Sequence, residues 1–319
     1  MKQEIKIFTN HVSGGWSPLD LDNMLGGSEE CVVLLSEAFQ RHGYKVTVYH
    51  SQTEQGELVC NGVKYLSREV AEIFNTDYLI TFKDPTPYLQ GAECKVKIHW
   101  SSEVERYWNT SAVDHHVNLS DYHSSRNGFA DHREVVPMGI DLKHLLSHRV
   151  NKEADTVLYS SSPDRGLFRL LQDWKQIRTH YPDLELRVTY GFEVFDKITD
   201  GHGNDYKKML SELIRQEGVK FLGSLTRDQM AREYWKAEHW ILPLENPDSE
   251  LFCLNALKSR FCGATPIVNK IGALKNTVGE YLKYSEFIEG VTQVTDSVSP
   301  VPVMDWDNVV ENYWKPLLD

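Results

Sequence analysis

The chain of 319 residues is 41% hydrophobic and 25% charged, the balance of a folded protein, and it is long enough for two cores. Its 34 basic residues against 46 acidic ones leave a net charge of −12, which argues against a nucleic-acid surface, since that needs a basic stripe to displace counterions. No apolar run approaches the ~20 residues that span a bilayer, and the alternating start reads as a strand rather than a signal peptide, so the expectation is a cytoplasmic protein.

Strand-like apolar runs recur, each followed by an amphipathic stretch. Ile5 to Phe8 leads through a loop to the helical pattern Ser28 to His42, with Gly43 in a helix-ending position. Strands are expected at Lys45 to Tyr49, Tyr78 to Phe82, Val96 to Trp100 and His116 to Leu119, with a short extended piece at Val135 to Pro137. A polar stretch, His148 to Asp155, separates this series from a second one. There the pattern predicts strands at Thr156 to Ser160, Leu184 to Tyr190, Val219 to Leu222, His239 to Leu242 and Pro266 to Asn269. Helices are expected between them at Leu167 to Tyr181, Tyr206 to Gln216, Arg227 to Lys236 and Leu251 to Phe261. Alternation of this kind implies α/β domains with parallel sheets, here two Rossmann-like doubly wound domains over 1–150 and 151–304. The segment 305–319 reads as a helix folding back over the first domain. Two such sheets in sequence leave a cleft at the carboxyl ends of their strands, where these folds bind ligands.

Five cysteines, widely spaced and without a CxxC pair, read as core residues in a reducing compartment. The segment Arg126 to Arg149 carries the densest basic and histidine content, diluted by Asp121, Asp131, Glu134 and Asp141, so nucleic acid is an improbable partner without being excluded. His144 and His148 stand four apart and can share a helix face as metal ligands, but no cysteine or acid is spaced to complete the set, and a polar linker accounts for them better. Asp20-Leu21-Asp22 and Asp305-Trp306-Asp307 are read as helix-start or loop acids, and no metal is expected.

Three constellations can carry chemistry. Gly26 and Gly27 precede Ser28-Glu29-Glu30 at the first helix, where free amides and the helix dipole suit a diphosphate; a loop capped by Ser28 is the plainer alternative. Ser160-Ser161-Ser162-Pro163-Asp164-Arg165-Gly166 follows a strand, and hydroxyls beside a guanidinium suit phosphate oxygens. Ser249-Glu250-Leu251-Phe252 opens a helix, so that the Glu250 carboxylate and the following amides can hold sugar hydroxyls. His99, at a strand end, can orient or deprotonate an acceptor, or else serve as a satisfied structural histidine. Gly191-Phe192 ends another strand and can stack a nucleobase. The loops Gln52 to Glu57 and Lys83 to Gln90 carry no specific signal.

The segment Ser161 to Gly166, with Trp174, Pro182 and Tyr190-Gly191, resembles the donor-domain opening of glycosyltransferase family 4. Phe221-Leu222-Gly223, Trp240-Ile241-Leu242-Pro243, Glu250-Leu251-Phe252-Cys253 and Ile271-Gly272-Ala273-Leu274 are similar to the same family, as are Gly26-Gly27-Ser28-Glu29 and His42 to Val46. The resemblance implies a GT-B fold, with an acceptor-side domain, a donor-binding domain and a C-terminal helix crossing back. It implies a retaining, metal-independent hexosyltransferase that takes a nucleoside diphosphate sugar and a hydroxyl acceptor. Donor contacts would fall to Gly26, Gly27, Ser161, Arg165, Gly191, Ser249, Leu251, Phe252 and the residue at 258, with Glu250 and His99 at the chemistry. The family has a second glutamate eight positions after the first, bonding the nucleotide ribose; here Lys258 stands there, and an ammonium accepts no hydrogen bond. A binding protein on the same fold, with little or no transferase activity, is the alternative.

Overall fold

The computed structural model describes residues 2–23, 25–52, 56–71, 76–105, 110–127, 133–192, 204–296 and 300–319. Parts of the loop 52–57 and of the basic segment 126–149 therefore lie outside the described residues. The chain forms two compact units, Met1–Asp141 with Met304–Asp319, and Leu142–Val303.

The first unit is built on strands β1 (Glu4–Thr9), β2 (Lys45–His50), β3 (Leu58–Cys60), β4 (Val63–Ser67), β5 (Thr76–Phe82), β6 (Cys94–Trp100), β7 (His115–Asn118) and β8 (Arg133–Val135). They lie in the order β3-β4-β2-β1-β5-β6-β7-β8, parallel except for the hairpin β3–β4. The order reverses between β1 and β5, the place where an open sheet of this type leaves room for a ligand. Ile5, Ile7, Val46, Val48, Leu79, Ile80 and Ile98 are fully or almost fully buried, as strands covered on both faces require. The helix Gly27–Arg41 buries Cys31, Leu34, Leu35, Ala38 and Phe39. It closes at Gly43, whose φ of +96° is left-handed, with the Tyr44 amide donating to the Phe39 carbonyl at 3.1 Å.

The C-terminal segment belongs to this core. Gly139 has no room for a side chain, since a Cβ there would lie 2.9 Å from the Trp306 backbone, and the Ile140 amide donates to the Met304 carbonyl at 2.9 Å. Trp314, 1% exposed, sets its ring edge-on to Phe39 at 5.7 Å and to Trp100 at 5.6 Å. The final helix is not uniform: α turns Trp306–Val309 and Lys315–Leu318 flank a π turn, Val310–Trp314, in which the Lys315 amide reaches back to the Val310 carbonyl. Pro316 follows directly, and its missing N–H explains why the regular ladder widens there.

The second unit contains β9 (Glu153–Tyr159), β10 (Glu185–Thr189), β11 (Val219–Gly223), β12 (Ala237–Leu242), β13 (Thr265–Val268), β14 (Tyr281–Lys283) and β15 (Val294–Thr295). Their order is β11-β10-β9-β12-β13-β14-β15, with only the β14–β15 pair antiparallel. Its reversal point falls between β9 and β12, so the loops leaving Tyr159 and Leu242 emerge side by side. Helices Leu167–His180, Asn204–Leu213, Arg227–Lys236 and Leu254–Phe261 connect the strands, and Trp174, Leu170, Leu186, Trp240 and Ile267 fill the interior.

Two expectations from the sequence need correction. The last of these helices begins at Leu254 rather than Leu251, because Leu251 and Phe252 are spent in a non-helical bend and Cys253 takes the cap. The segment after Asp141 is not a simple linker, since Leu142–Ser147 is helical and β9 starts inside the polar stretch, at Glu153. The hairpin β3–β4 is an addition for which no expectation was stated: its turn is Asn61-Gly62, with φ of 48° and 79°, the pair of left-handed residues that a type I′ turn demands.

Candidate active site

The loop after β9 is held from three sides. The Trp240 indole donates to Ser160 Oγ at 3.0 Å, the Asn255 amide side chain donates to the Ser160 carbonyl at 2.9 Å, and the Tyr159 hydroxyl donates to the Ser162 carbonyl at 2.7 Å. Tyr234 fixes Asn255 in turn, its hydroxyl donating to Oδ1 at 2.6 Å. Ser161 is 2% exposed beneath this loop. The loop ends at Gly166, φ +93°, where a Cβ would stand 2.6 Å from the Pro243 carbonyl oxygen. Only glycine lets the β9 loop approach the end of β12 so closely.

The loop after β12 folds as a 3-10 turn, Pro247–Ser249, closed by the Asn246 side chain on the Asp248 amide at 3.1 Å and by the Ser249 hydroxyl on the Asn246 carbonyl at 2.8 Å. Gly272, φ +54°, lies under this turn, where a Cβ would be 2.7 Å from the Pro247 carbonyl. The turn delivers Glu250, only 6% exposed, against the Arg165 guanidinium, with Nη1 to Oε2 at 2.5 Å. Burial pushes the Glu250 carboxyl above the usual carboxylate range, against the pull of Arg165 and of the Cys253 thiol. Burial works against the charge on Arg165 most strongly of any single influence, but Glu250, Cys253, Asp164 and Tyr190 together outweigh it and hold the guanidinium above its ordinary value. Arg165 keeps about a third of its side chain in solvent (34%), whereas Glu250 is closed in. The site is thus a buried acid whose charge depends on a partly accessible cation.

Leu251, Phe252 and Cys253 are buried behind the pair, and burial pushes the Cys253 thiol well above its normal range. Cys253 is the cap of the helix Leu254–Phe261, so Glu250 is not the first-turn acid of that helix. Lys258 lies on the same helix, past its first turn and half-buried. Gly191 is buried at the end of β10, next to Tyr190, whose φ of +97° is a strained backbone for a residue with a side chain. Tyr190 is near enough to Arg165 to act on its charge. Phe192 stacks on Phe221 at 5.5 Å, with the Lys207 ammonium 5.4 Å from its ring centre. Ser161, Arg165, Ser249, Glu250, Leu251, Phe252, Lys258 and Gly191 therefore all belong to the second unit, on the loops and helix that follow β9, β10 and β12. Sequence reasoning gave no role to Asn255 or Tyr234, and no local signal marks a residue that acts by holding another loop's carbonyl.

Gly26, Gly27 and His99 belong to the first unit. Gly26, not Ser28, caps the helix Gly27–Arg41, without a side-chain hydrogen bond, and the Glu29 carboxylate lies over it. His99 does not offer a free ring nitrogen to an acceptor. It is fully buried, with Nδ1 2.7 Å from Thr81 Oγ1 and Nε2 2.9 Å from Glu105 Oε1. Thr81 on the next strand and Glu105 in the following loop engage both of its nitrogens, as the reading of it as a satisfied histidine expects.

No family model matches the chain. Lipopolysaccharide 1,2-N-acetylglucosaminetransferase of Salmonella typhimurium (strain LT2) is 28% identical over 135 residues, 40% of this chain and 34% of that protein. The match thus spans about a third of the length of the curated relative. Among solved structures, AviGT4, a glycosyltransferase involved in avilamycin A biosynthesis, aligns over 98% of this chain and 97% of its own, with a TM-score of 0.66 at 14% identity. Anabaena HepE in complex with UDP-glucose aligns over 96% of this chain and 88% of its own, with a TM-score of 0.56 at 13% identity. With two doubly wound sheets in the same succession, the chain has the GT-B fold of these glycosyltransferases.

Proposed function

We propose that this protein is a retaining glycosyltransferase that moves a hexose from a nucleoside diphosphate sugar to a hydroxyl acceptor. The observation that carries the reading is the Arg165–Glu250 pair at the reversal point of the second sheet, between loops fixed by glycines and by Asn255. Arg165 has five N–H donors and gives one nitrogen, Nη1, to Glu250, so a diphosphate alongside it still finds a bidentate partner. Glu250 accepts from the sugar hydroxyls, while Leu251 and Phe252 keep water from its buried side. The leaving diphosphate gathers charge as the glycosidic bond breaks, and Arg165, already positioned, stabilises that charge without reorganising. The same diphosphate takes the proton of the acceptor hydroxyl as the acceptor attacks from its face, which gives retention. Lys258 adds a second cation to the helix behind Glu250, and Gly191 and Phe192 offer a surface for the base. We assign no metal ion to this chemistry.

HepE holds UDP-glucose and the Salmonella relative is named for N-acetylglucosamine transfer, which favours a UDP-linked hexose as donor. We place the protein in the cytoplasm, where its five cysteines, none of them in a disulfide, stay as thiols; among the described residues no helix is long and apolar enough to cross a membrane. The test is Glu250→Ala, assayed with UDP-glucose and UDP-N-acetylglucosamine for transfer and donor hydrolysis after a UDP-dependent thermal shift has been established. Turnover should fall by more than about a hundredfold while the far-UV circular dichroism stays unchanged. Wild-type-like turnover in the variant would refute the role of Glu250, and binding of UDP without hydrolysis or transfer in the wild type would make the protein a binder.

A further inference from the structure

The fold completes a cluster that spacing alone leaves open. His144, on the helix Leu142–Ser147, and His148, one turn on, set their ring centres 4.5 Å apart with the planes tilted by 39°. Both direct Nε2 at the same carboxylate oxygen, Oδ1 of Asp228, at 2.9 and 3.2 Å. Asp228 lies 84 residues from His144, in the first turn of the helix Arg227–Lys236, whose start is fixed by a Thr226–Gln229 capping box. The two helices are docked independently of the cluster. Trp235 donates its indole N–H to the Leu145 carbonyl at 2.7 Å, and the Arg149 guanidinium covers the Trp235 ring at 5.1 Å.

We propose that His144, His148 and Asp228 form a binding site for a first-row divalent cation, with zinc as its fitting occupant. The hydrogen bonds of His148 give the first reason. Its Nδ1 is 2.9 Å from the His144 carbonyl, which can only accept, so Nδ1 carries a hydrogen and Nε2 is the nitrogen left to bind an ion. In the neutral imidazole that nitrogen turns a lone pair on the carboxylate oxygen, and a cation between them relieves the contact, whereas an imidazolium would make an ion pair there. Spacing gives the second reason. Ligand atoms ~2.0–2.2 Å from one ion and ~90–110° apart stand ~2.8–3.6 Å from each other, which brackets both the 2.9 Å and the 3.2 Å separation. Two imidazoles and one carboxylate are a borderline donor set that suits zinc rather than calcium or magnesium. The histidine side chains are 14% and 16% exposed and Asp228 is 54% exposed, so water has access to the remaining coordination positions. The site is carried by other elements than the loops that hold Arg165 and Glu250, and the ion ties the entry segment of the second unit to the helix that bears Tyr234.

The test uses full-length, tag-free protein stripped with a chelator, titrated with zinc chloride by calorimetry and followed by thermal unfolding. One equivalent per chain should bind and raise the midpoint by several degrees. His148→Gln and Asp228→Asn, each checked for an unchanged circular dichroism spectrum, should weaken binding more than about tenfold, since even an outer-shell partner is worth that much. His180→Gln, on a different helix, should leave binding unchanged. Absence of saturable zinc binding, or equal affinity in the wild type and both cluster variants, would overturn the proposal and leave the three residues as a hydrogen-bonded ion pair. The readout does not involve donor turnover, so its outcome is separable from that of the transferase assignment.

Discussion

Replacing Arg165 by alanine strands a buried carboxyl, and the size of the effect follows from the geometry. Two unit charges ~4 Å apart attract by about 4 kcal/mol at an effective dielectric constant of 20. Arg165 is 34% exposed, so solvent screening reduces the net worth of the pair to about 2 kcal/mol. The loss also has a ceiling, because the orphaned Glu250 can take a proton. Protonation costs about 1.4 kcal/mol for each pH unit above its unfolded value of 4.5. The sign is fixed by the direction of the shift. Glu250 is raised in the folded protein, so its contribution favours folding below the unfolded value and is lost as pH rises through the folded one. Removing Arg165 raises it further, so the deficit of Arg165→Ala relative to wild type widens with pH. Urea denaturation should give a penalty of about 2 kcal/mol near pH 7.5 and no more than about 1.4 kcal/mol near pH 5.5. Adding Glu250→Gln to the variant removes the buried charge and should recover more than half of the loss at the higher pH. A penalty independent of pH, or a double variant as unstable as Arg165→Ala, would refute the claim that the two side chains form an energetic unit.

Gly166→Ala combines a left-handed backbone with a Cβ 2.6 Å from the Pro243 carbonyl oxygen, and thermal unfolding should show a loss of about 2–4 kcal/mol. A UDP-dependent thermal shift should vanish with it. Trp314→Ala empties the space between Phe39 and Trp100 and should cost about 3–5 kcal/mol in urea unfolding. That loss tests whether the C-terminal segment is part of the first unit's core or an appendage to it.

The features legible in the sequence are those set by local patterning. Ile5, Val46, Leu79 and Ile98 announce strands because central parallel strands are buried on both faces, and Gly43 and Gly166 mark places where the backbone turns left-handed. The segments Ser160–Gly166 and Ser249–Phe252 were visible because small, polar and glycine residues interrupt apolar runs where strands end. What stayed hidden depends on partners far along the chain. Nothing near His144 points to Asp228, nothing near His99 points to Thr81, and Ser160 gives no hint that Asn255 will hold its carbonyl. The start of the helix at Leu254 was missed because the apolar rhythm of Leu251, Phe252 and Cys253 serves burial behind Glu250 and happens to share a helical period.

This distinction bears on Lys258, where the chain departs from the family it resembles. Glu250 and residue 258 are read as one motif only if they share a structural element, and here they do not. Glu250 is placed by the 3-10 turn Pro247–Ser249 and locked by Arg165, whereas Lys258 is carried by the helix that Cys253 caps. The contacts that place Glu250 and hold its charge, to Arg165 and Cys253, do not include residue 258. The half of the site proposed to hold the sugar is built from the turn, from Gly272 beneath it and from Arg165 on the neighbouring strand's loop, and none of these contacts passes through the helix position that changed. On the proposed reading, loss of the second carboxylate alters how a ribose would be held, with a cation replacing an acceptor, while the machinery proposed for the leaving diphosphate remains complete.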